Sequence, residues 1–285
     1  MDLSHHQFKA LIFTDLDGTL IAGGNPVSAI NARTIEMLAL ANIGVIPVSG
    51  RNLKMLEKVL PQDLPIDFAI CSTGAGIITW PQKELIFRAE LNAVEAAEAT
   101  EILRSFQVNF MVHSCLPEND KCQYSLADGI IPCEDFYRRL ERMPEPRKML
   151  PRAWDGGTGA SQLLAVFSRE EEARSELIAE KLQRSFSVVW STSPLDHESI
   201  WLEIFAKGVK KSAAAKWLQP QIAPEAPCYA IGNDFNDLDL LEWADSSLVM
   251  ADSPPLLQRS YEVLHTIPEK VLPVAVSHWQ ILKTE

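Results

Sequence analysis

The sequence predicts an α/β protein: a parallel sheet covered on both faces by helices, interrupted by an inserted α+β domain. Three observations predict it. Short apolar runs alternate with helical segments through residues 1–85 and again through 195–285, the rhythm of strands joined by helical crossovers. Between them, over residues 86–194, strands outnumber helices, which suits a separate antiparallel sheet. The first apolar run stops abruptly at Asp15-Leu16-Asp17-Gly18-Thr19. Two carboxylates therefore stand at the carboxyl end of a strand, where open α/β sheets bind ligands.

The elements follow in order. Phe8 to Phe13 reads as a strand, and Ser28 to Ala41 as a helix with Ser28 as N-cap and Gly44 beyond its end. Val45 to Val48 is the next strand, Asn52 to Leu60 a helix stopped by Pro61, and Phe68 to Cys71 a third apolar strand expected to join the parallel sheet. In the insertion, Ala89 to Phe106, Asp135 to Arg142 and Arg169 to Arg184 read as helices. Val108 to His113, Lys121 to Leu126, Gln162 to Phe167 and Phe186 to Trp190 read as strands. Three prolines and three glycines between Pro144 and Gly159 predict a long loop. The core resumes with a strand at Trp201 to Phe205 and a helix at Ser212 to Leu218. Strands at Tyr229 to Ile231 and Leu248 to Met250 then flank a helix at Leu238 to Ala244, and a last helix covers Pro273 to Leu282.

Composition narrows the function classes. The 285 residues are 47% hydrophobic and 22% charged, enough for a sizeable core and, by length, about two domains. With 26 Lys and Arg against 38 Asp and Glu, the net charge is −12, and no basic stripe exists to neutralise nucleic-acid phosphates. No apolar run reaches the roughly 18 residues of a membrane span. The first residues lack the basic and apolar regions of a signal peptide, and His5-His6 reads as a terminus rather than a metal site. The five cysteines are odd in number, form no CxxC, and read as reduced thiols, so a cytoplasmic location is expected.

Four motifs sit at the ends of predicted core strands. Gly18 lets the chain bend so that Asp15 and Asp17 approach, and two close carboxylates call for a hard cation, Mg2+ by preference. Ser49-Gly50-Arg51 offers a hydroxyl and main-chain N–H groups at a helix start, suited to phosphate. In Gly208-Val209-Lys210-Lys211-Ser212 a lysine stands where it opposes the helix dipole, which is tolerable if it meets an anion. Gly232-Asn233-Asp234-Phe235-Asn236-Asp237 places carboxylates and amides together as a second half of a metal site, with Asp237 also able to cap the following helix.

In this order the motifs resemble those of the haloacid dehalogenase superfamily of phosphatases, over residues 6–85 and 195–285. The resemblance implies a Rossmann-like core with an inserted cap of type IIB, as in sucrose-phosphatase-like and other sugar-phosphate phosphatases. It implies Asp15 as nucleophile, Asp17 as general acid and base, and Lys211 with Ser49, Gly50, Arg51 and Asn236 around the phosphoryl group. It implies Mg2+ held by a carboxylate oxygen of Asp15, the main-chain carbonyl of Asp17 and a residue of the fourth motif, with Asn236 and Asp237 in support. The family's Gly-Asp reads Gly232-Asn233 here, so either Asn233 ligates through its amide or the loop shifts to offer Asp234, whose charge favours it slightly. Ser72-Thr73-Gly74 stands where relatives carry Asn-Gly, with Thr73 a weaker pocket candidate. In the cap, Glu118-Asn119-Asp120-Lys121, the flexible Gly156 to Gly159 loop, and Trp154, Trp190 and Trp201 are candidate sugar contacts. The expected activity is Mg2+-dependent hydrolysis of a small phosphate ester, most readily a sugar phosphate. A phosphomutase and a non-catalytic binding protein are the alternatives.

Overall fold

The computed structural model describes residues 3, 8–144, 147–193, 195–196 and 198–282. His5 and His6 lie outside them. The chain divides into two compact units, residues 1–87 with 210–285, and residues 88–209.

The first unit starts with β1 (Ala10–Thr14), α1 (Ala29–Leu40), β2 (Ile43–Pro47) and the short α2 (Leu53–Leu56), followed by β3 (Phe68–Cys71), β4 (Gly76–Thr79) and β5 (Leu85–Arg88). The inserted unit contains α3 (Ala93–Ser105), β6 (Phe110–His113), β7 (Cys122–Ser125), α4 (Glu134–Glu141), β8 (Lys148–Met149), β9 (Gln162–Phe167), α5 (Glu172–Leu182), β10 (Ser187–Thr192) and β11 (Ile200–Phe205). The first unit then resumes with α6 (Lys211–Ile222), β12 (Cys228–Gly232), α7 (Leu238–Trp243), β13 (Ser246–Met250), α8 (Pro255–Ser260), β14 (Glu262–Leu264) and α9 (Val271–Trp279).

The main sheet has the order β14-β13-β12-β1-β2 and is parallel throughout. Its strands β1 and β2 are buried at every position, as expected where helices cover both faces. Register decides what emerges at the carboxyl edge. Thr14 stands opposite Ile231 on one side and Pro47 on the other. The next residues, Asp15, Gly232 and Val48, therefore stand at one level at the carboxyl edge, tied by Asp15 N–H to the Ile231 carbonyl at 2.9 Å and Val48 N–H to the Thr14 carbonyl at 2.8 Å. Ser28 caps α1 through Asn31 N–H, as its position before the apolar-periodic segment predicts.

Four expectations are corrected. Phe68–Cys71 is a strand with the expected bounds, but it pairs antiparallel with β4 in a separate three-stranded sheet and touches the main sheet through one bridge, Val48 to Ile70. An apolar run reads alike in either orientation. The helix expected over Asn52 to Leu60 shrinks to one turn. The strand Ile200–Phe205 belongs to the inserted unit, pairing antiparallel with both β10 and β9, so that unit extends to Val209 rather than ending at 194. α8 and β14 are additional elements too short to leave a periodic signature.

The inserted unit is a sheet of order β10-β11-β9-β6-β7-β8, antiparallel except for β7 with β8. Met111, Leu164, Val166 and Trp201 pack with Phe136 and Met143 of the α4 segment in one apolar cluster. Trp201 is thus core, its indole N–H donating to Asp135 at 2.7 Å, and Trp190 donates to Ser175 at 3.0 Å. No helix among the described residues is long and apolar enough to cross a membrane.

His113 closes β6 in the buried interior, its Nδ1 3.1 Å from the Asn119 carbonyl. Burial first, and the Arg139 charge second, push its imidazole down to about 3. The unfolded chain therefore binds the proton first as pH falls below about 6.5, and stability drains away from there down to about 3, by about 5 kcal/mol in full. Wild type is expected to lose unfolding free energy more steeply than His113→Gln between pH 6.5 and 4 in urea titrations. Equal slopes would refute it.

Candidate functional site

The carboxyl edge of the main sheet gathers the four motifs. Asp15, the first residue beyond β1, is 5% exposed, and Lys211, the first residue of α6, is fully buried. Lys211 Nζ donates to Asp15 Oδ1 at 2.6 Å and to Asp237 Oδ1 at 2.5 Å, which places one buried ammonium between two buried carboxylates. Burial, opposed by Lys211 and reinforced by the Asp237 charge, raises the Asp15 carboxyl to about 7. Burial alone would lower Lys211, but the two carboxylates outweigh it and hold the ammonium above its ordinary range. Lys207 points elsewhere, donating to the Gln183 carbonyl at 2.7 Å, so the geometry selects Lys211 among the neighbouring lysines.

Asp17 lies on the exposed side of the bend. Arg51 grips it with two hydrogen bonds, Nε to Oδ2 at 2.7 Å and Nη2 to Oδ1 at 2.6 Å. Such a planar fork is the strong geometry for a guanidinium and a carboxylate, although half of the Asp17 side chain meets solvent. Arg51 is therefore an Asp17 partner in this structure rather than an unengaged substrate contact. Ser49 is buried, and its hydroxyl oxygen accepts Arg51 N–H at 3.1 Å, leaving the O–H to donate. Gly50 is exposed beside it.

Ser72, Thr73 and Gly74 turn with φ of 49°, 59° and 96°, three successive left-handed residues. Ser72 N–H donates to the Arg51 carbonyl at 2.9 Å and Thr73 N–H to the Ser49 carbonyl at 3.0 Å. A Cβ on Gly74 would fall 2.2 Å from the Lys210 carbonyl oxygen, so glycine alone permits this approach to α6. The sequence marks Thr73 as a pocket candidate, whereas the turn it sits in is structural. The signal was Gly74 itself. Asp239, whose carboxylate accepts Ser212 N–H at 2.7 Å at the start of α6, left no sequence signal.

The loop after β12 sorts its acidic residues. Asp237 Oδ2 accepts the N–H groups of Asn233 at 2.9 Å and Asp234 at 3.2 Å, so with Lys211 on Oδ1 both of its oxygens are engaged. Gly232 is required beneath it, since a Cβ there would lie 2.6 Å from Asp237 Cβ. The Asp234 carboxylate accepts Phe235 N–H at 2.7 Å within its own exposed loop, and Asn236 is exposed. Asn233 instead approaches the first motif: a Cβ on Gly18, at φ 80°, would meet its Nδ2 at 2.4 Å.

Five residues were expected as metal ligands, and they do not form a carboxylate cluster. The Asp17 side chain is held by Arg51, Asp234 turns to its own loop and both Asp237 oxygens are engaged, and the described residues contain no group of three His, Cys, Asp or Glu placed to hold a metal. Asn233 stands against Gly18 of the first motif, while the Asp234 carboxylate is engaged within its own loop. The Asp15 carboxylate and the Asn233 side chain, which stands against Gly18, belong to adjoining loops at the sheet's carboxyl edge. These are hard oxygen donors in small number, which fits a cation that keeps several waters, as Mg2+ does.

Comparison with known proteins gives the family and the fold. The sequence profile of the haloacid dehalogenase-like hydrolases matches residues 12–266. Pyridoxal phosphate phosphatase of Escherichia coli is 25% identical over 254 residues, 85% of this chain and 88% of that protein. A phosphatase of the haloalkanoate enzyme superfamily from Bacteroides thetaiotaomicron shares the fold at TM-score 0.75 and 16% identity, over 96% of both chains. A sugar phosphatase of subclass IIB does so at TM-score 0.69 and 16% identity, over 96% of this chain and 100% of the other. The chain belongs to the haloacid dehalogenase-like hydrolases.

Proposed function

We propose that the chain is a phosphatase of small phosphorylated metabolites, sugar phosphates foremost, working through an aspartyl-phosphate on Asp15 with Mg2+ as cofactor. The observation that carries this reading is the buried Asp15–Lys211–Asp237 array at the carboxyl edge of the parallel sheet. A carboxylate oriented through one oxygen by an ammonium, itself fastened from behind, is a pre-positioned nucleophile.

In the first half-reaction an Asp15 oxygen attacks phosphorus, the P–O bond to the leaving group breaks, and Asp17 gives its proton to the departing alkoxide. In the second, Asp17 takes a proton from water, the water oxygen attacks the same phosphorus, and inorganic phosphate leaves with Asp15 regenerated. Asp17 must let go of Arg51 to do this, which frees the guanidinium to meet the phosphoryl oxygens. Ser49 O–H and Lys211 offset charge on the transferring group. Mg2+ would be held by Asp15, the Asp17 main-chain carbonyl and Asn233, and when bound it supplies positive charge that lets an anionic ester approach an anionic nucleophile. With five free cysteines the protein suits the reducing cytoplasm.

The test is phosphate release from a panel of sugar phosphates and pyridoxal phosphate. Release is expected from a few members and is expected to fall to background when the metal is chelated, returning on addition of Mg2+. Chelator-resistant release would refute the metal assignment, and no release from any member would refute the phosphatase.

A further inference from the structure

Helix α1 is built with two seams where a surface helix needs one. Asn31, Thr34, Ile35 and Leu38 face inward and are buried. The outward side of such a helix is ordinarily polar. Here Ile30, Met37 and Leu40 stand on it at 45, 51 and 88% exposure. Single exposed apolar side chains are common on any protein surface, but these three recur at one spacing. With Arg33 they occupy i, i+3, i+7 and i+10, the a and d positions of a heptad, so the four form one straight stripe along the helix. Ile267 extends it. That residue is half-exposed and directly precedes Pro268, whose carbonyl accepts Asn31 Nδ2 at 2.7 Å beside the first turn of α1.

The order of residues along the stripe is complementary to itself. When two copies of a helix cross antiparallel about a two-fold axis, each contact between residues i and j is repeated between j and i. With the axis midway between Ile30 and Leu40, Ile30 meets Leu40 of the second copy and Arg33 meets its Met37. The aliphatic stem of Arg33 then covers the methionine, and its guanidinium reaches Glu36 on the flank of the opposing stripe. Arg33 and Glu36 are both exposed, and neither is in an ion pair within the described residues. The stripe carries one charge of each sign in a chain of net charge −12. It therefore offers little to a strongly basic or acidic partner, and it lets two acidic copies meet without repulsion at the contact.

We propose that the outward stripe of α1 is a homodimer interface, in which two copies pack α1 antiparallel and exchange two Arg33–Glu36 ion pairs. The inference goes beyond the phosphatase reading and does not depend on it, since none of these residues belongs to the candidate site. One helix pair with its flanking apolar residue is a small interface, so association in the micromolar range is expected. Sedimentation velocity of the full chain is expected to show a dimer at roughly 100 µM. Leu40→Lys suits the last turn of a helix and leaves the inward seam intact, so it is expected to give a folded monomer. Arg33→Glu and Glu36→Arg are each expected to weaken association by roughly tenfold or more, because each sets like charges together at two symmetric places. Mixed with each other, these two variants are expected to associate as tightly as wild type, since each copy then presents the sign the other lacks. A loss of helix stability would not be repaired by mixing. Wild type that stays monomeric at that concentration overturns the proposal and leaves the stripe to a different partner. A dimer that survives Leu40→Lys and both charge variants lies elsewhere on the chain and overturns it equally, as does a mixture of the charge variants that stays monomeric.

Discussion

Replacing Asp15 by Asn is expected to lower kcat by about 10^4-fold or more, because an amide cannot form the acyl phosphate on which both half-reactions depend. The fold is expected to survive. Asn keeps an oxygen for Lys211 Nζ, now 2.6 Å away, and the ammonium retains Asp237 at 2.5 Å as its counterion. Unfolding free energy is expected to change by about 1 kcal/mol or less, and removing a carboxylate that burial disfavours offsets part of the lost ion pair. Acid-quenched wild type taken during turnover is expected to carry a phosphoryl group on the peptide containing Asp15, which the variant lacks. Activity of one tenth of wild type in a folded Asn variant would displace Asp15 from the role of nucleophile.

The larger structural effect is expected at Lys211. Lys211→Met keeps length and volume but leaves Asp15 and Asp237 buried side by side without a cation. Breaking a buried ion pair from one side typically costs about 3–5 kcal/mol, since the abandoned charge has lost its water as well as its partner. Here two charges are abandoned, so a loss at the upper end is expected in denaturant titrations at pH 7, together with loss of turnover. A triple variant with Asp15→Asn and Asp237→Asn is expected to recover a large part of the stability and none of the activity. A Lys211→Met protein as stable as wild type would show that the ammonium is not the counterion the geometry makes it.

Much of this site was legible because its chemistry is concentrated at strand ends, and strand ends are where apolar runs stop. Asp15 follows β1 directly, Ser49 stands two residues beyond β2 and the Gly232 stretch begins on the last residue of β12, so pattern and motif coincide. What stayed hidden was partnership. Nothing local to Arg51 says that its guanidinium closes on Asp17, 34 residues earlier, and nothing in Asn233-Asp234 says which faces Gly18. A charge argument preferred Asp234, while the hydrogen bonds from the main chain to Asp237 leave Asn233 against Gly18 and the Asp234 carboxylate on Phe235 N–H. The fold shows the same division. Strand positions such as Gln162–Phe167 were readable from composition, but the sheet to which Ile200–Phe205 belongs depends on neighbours distant in sequence, and its apolar pattern suits either unit.

The left-handed turn at Ser72 to Gly74 has a consequence for the precision of the whole site. Two successive non-glycine residues in that conformation cost about 1 kcal/mol or more each, and they persist where the surroundings leave no alternative. On one side the turn is bonded to the main chain of Ser49 and Arg51, and on the other Gly74 abuts the carbonyl of Lys210. It therefore acts as a gauge block, a spacer of set thickness between the hydroxyl loop and the lysine helix. The separation of Ser49 from Lys211 is thereby machined by a segment that belongs to neither loop. Widening that spacer by a single methyl at Gly74 would move Lys211 relative to Ser49 with every side chain of the site still in place.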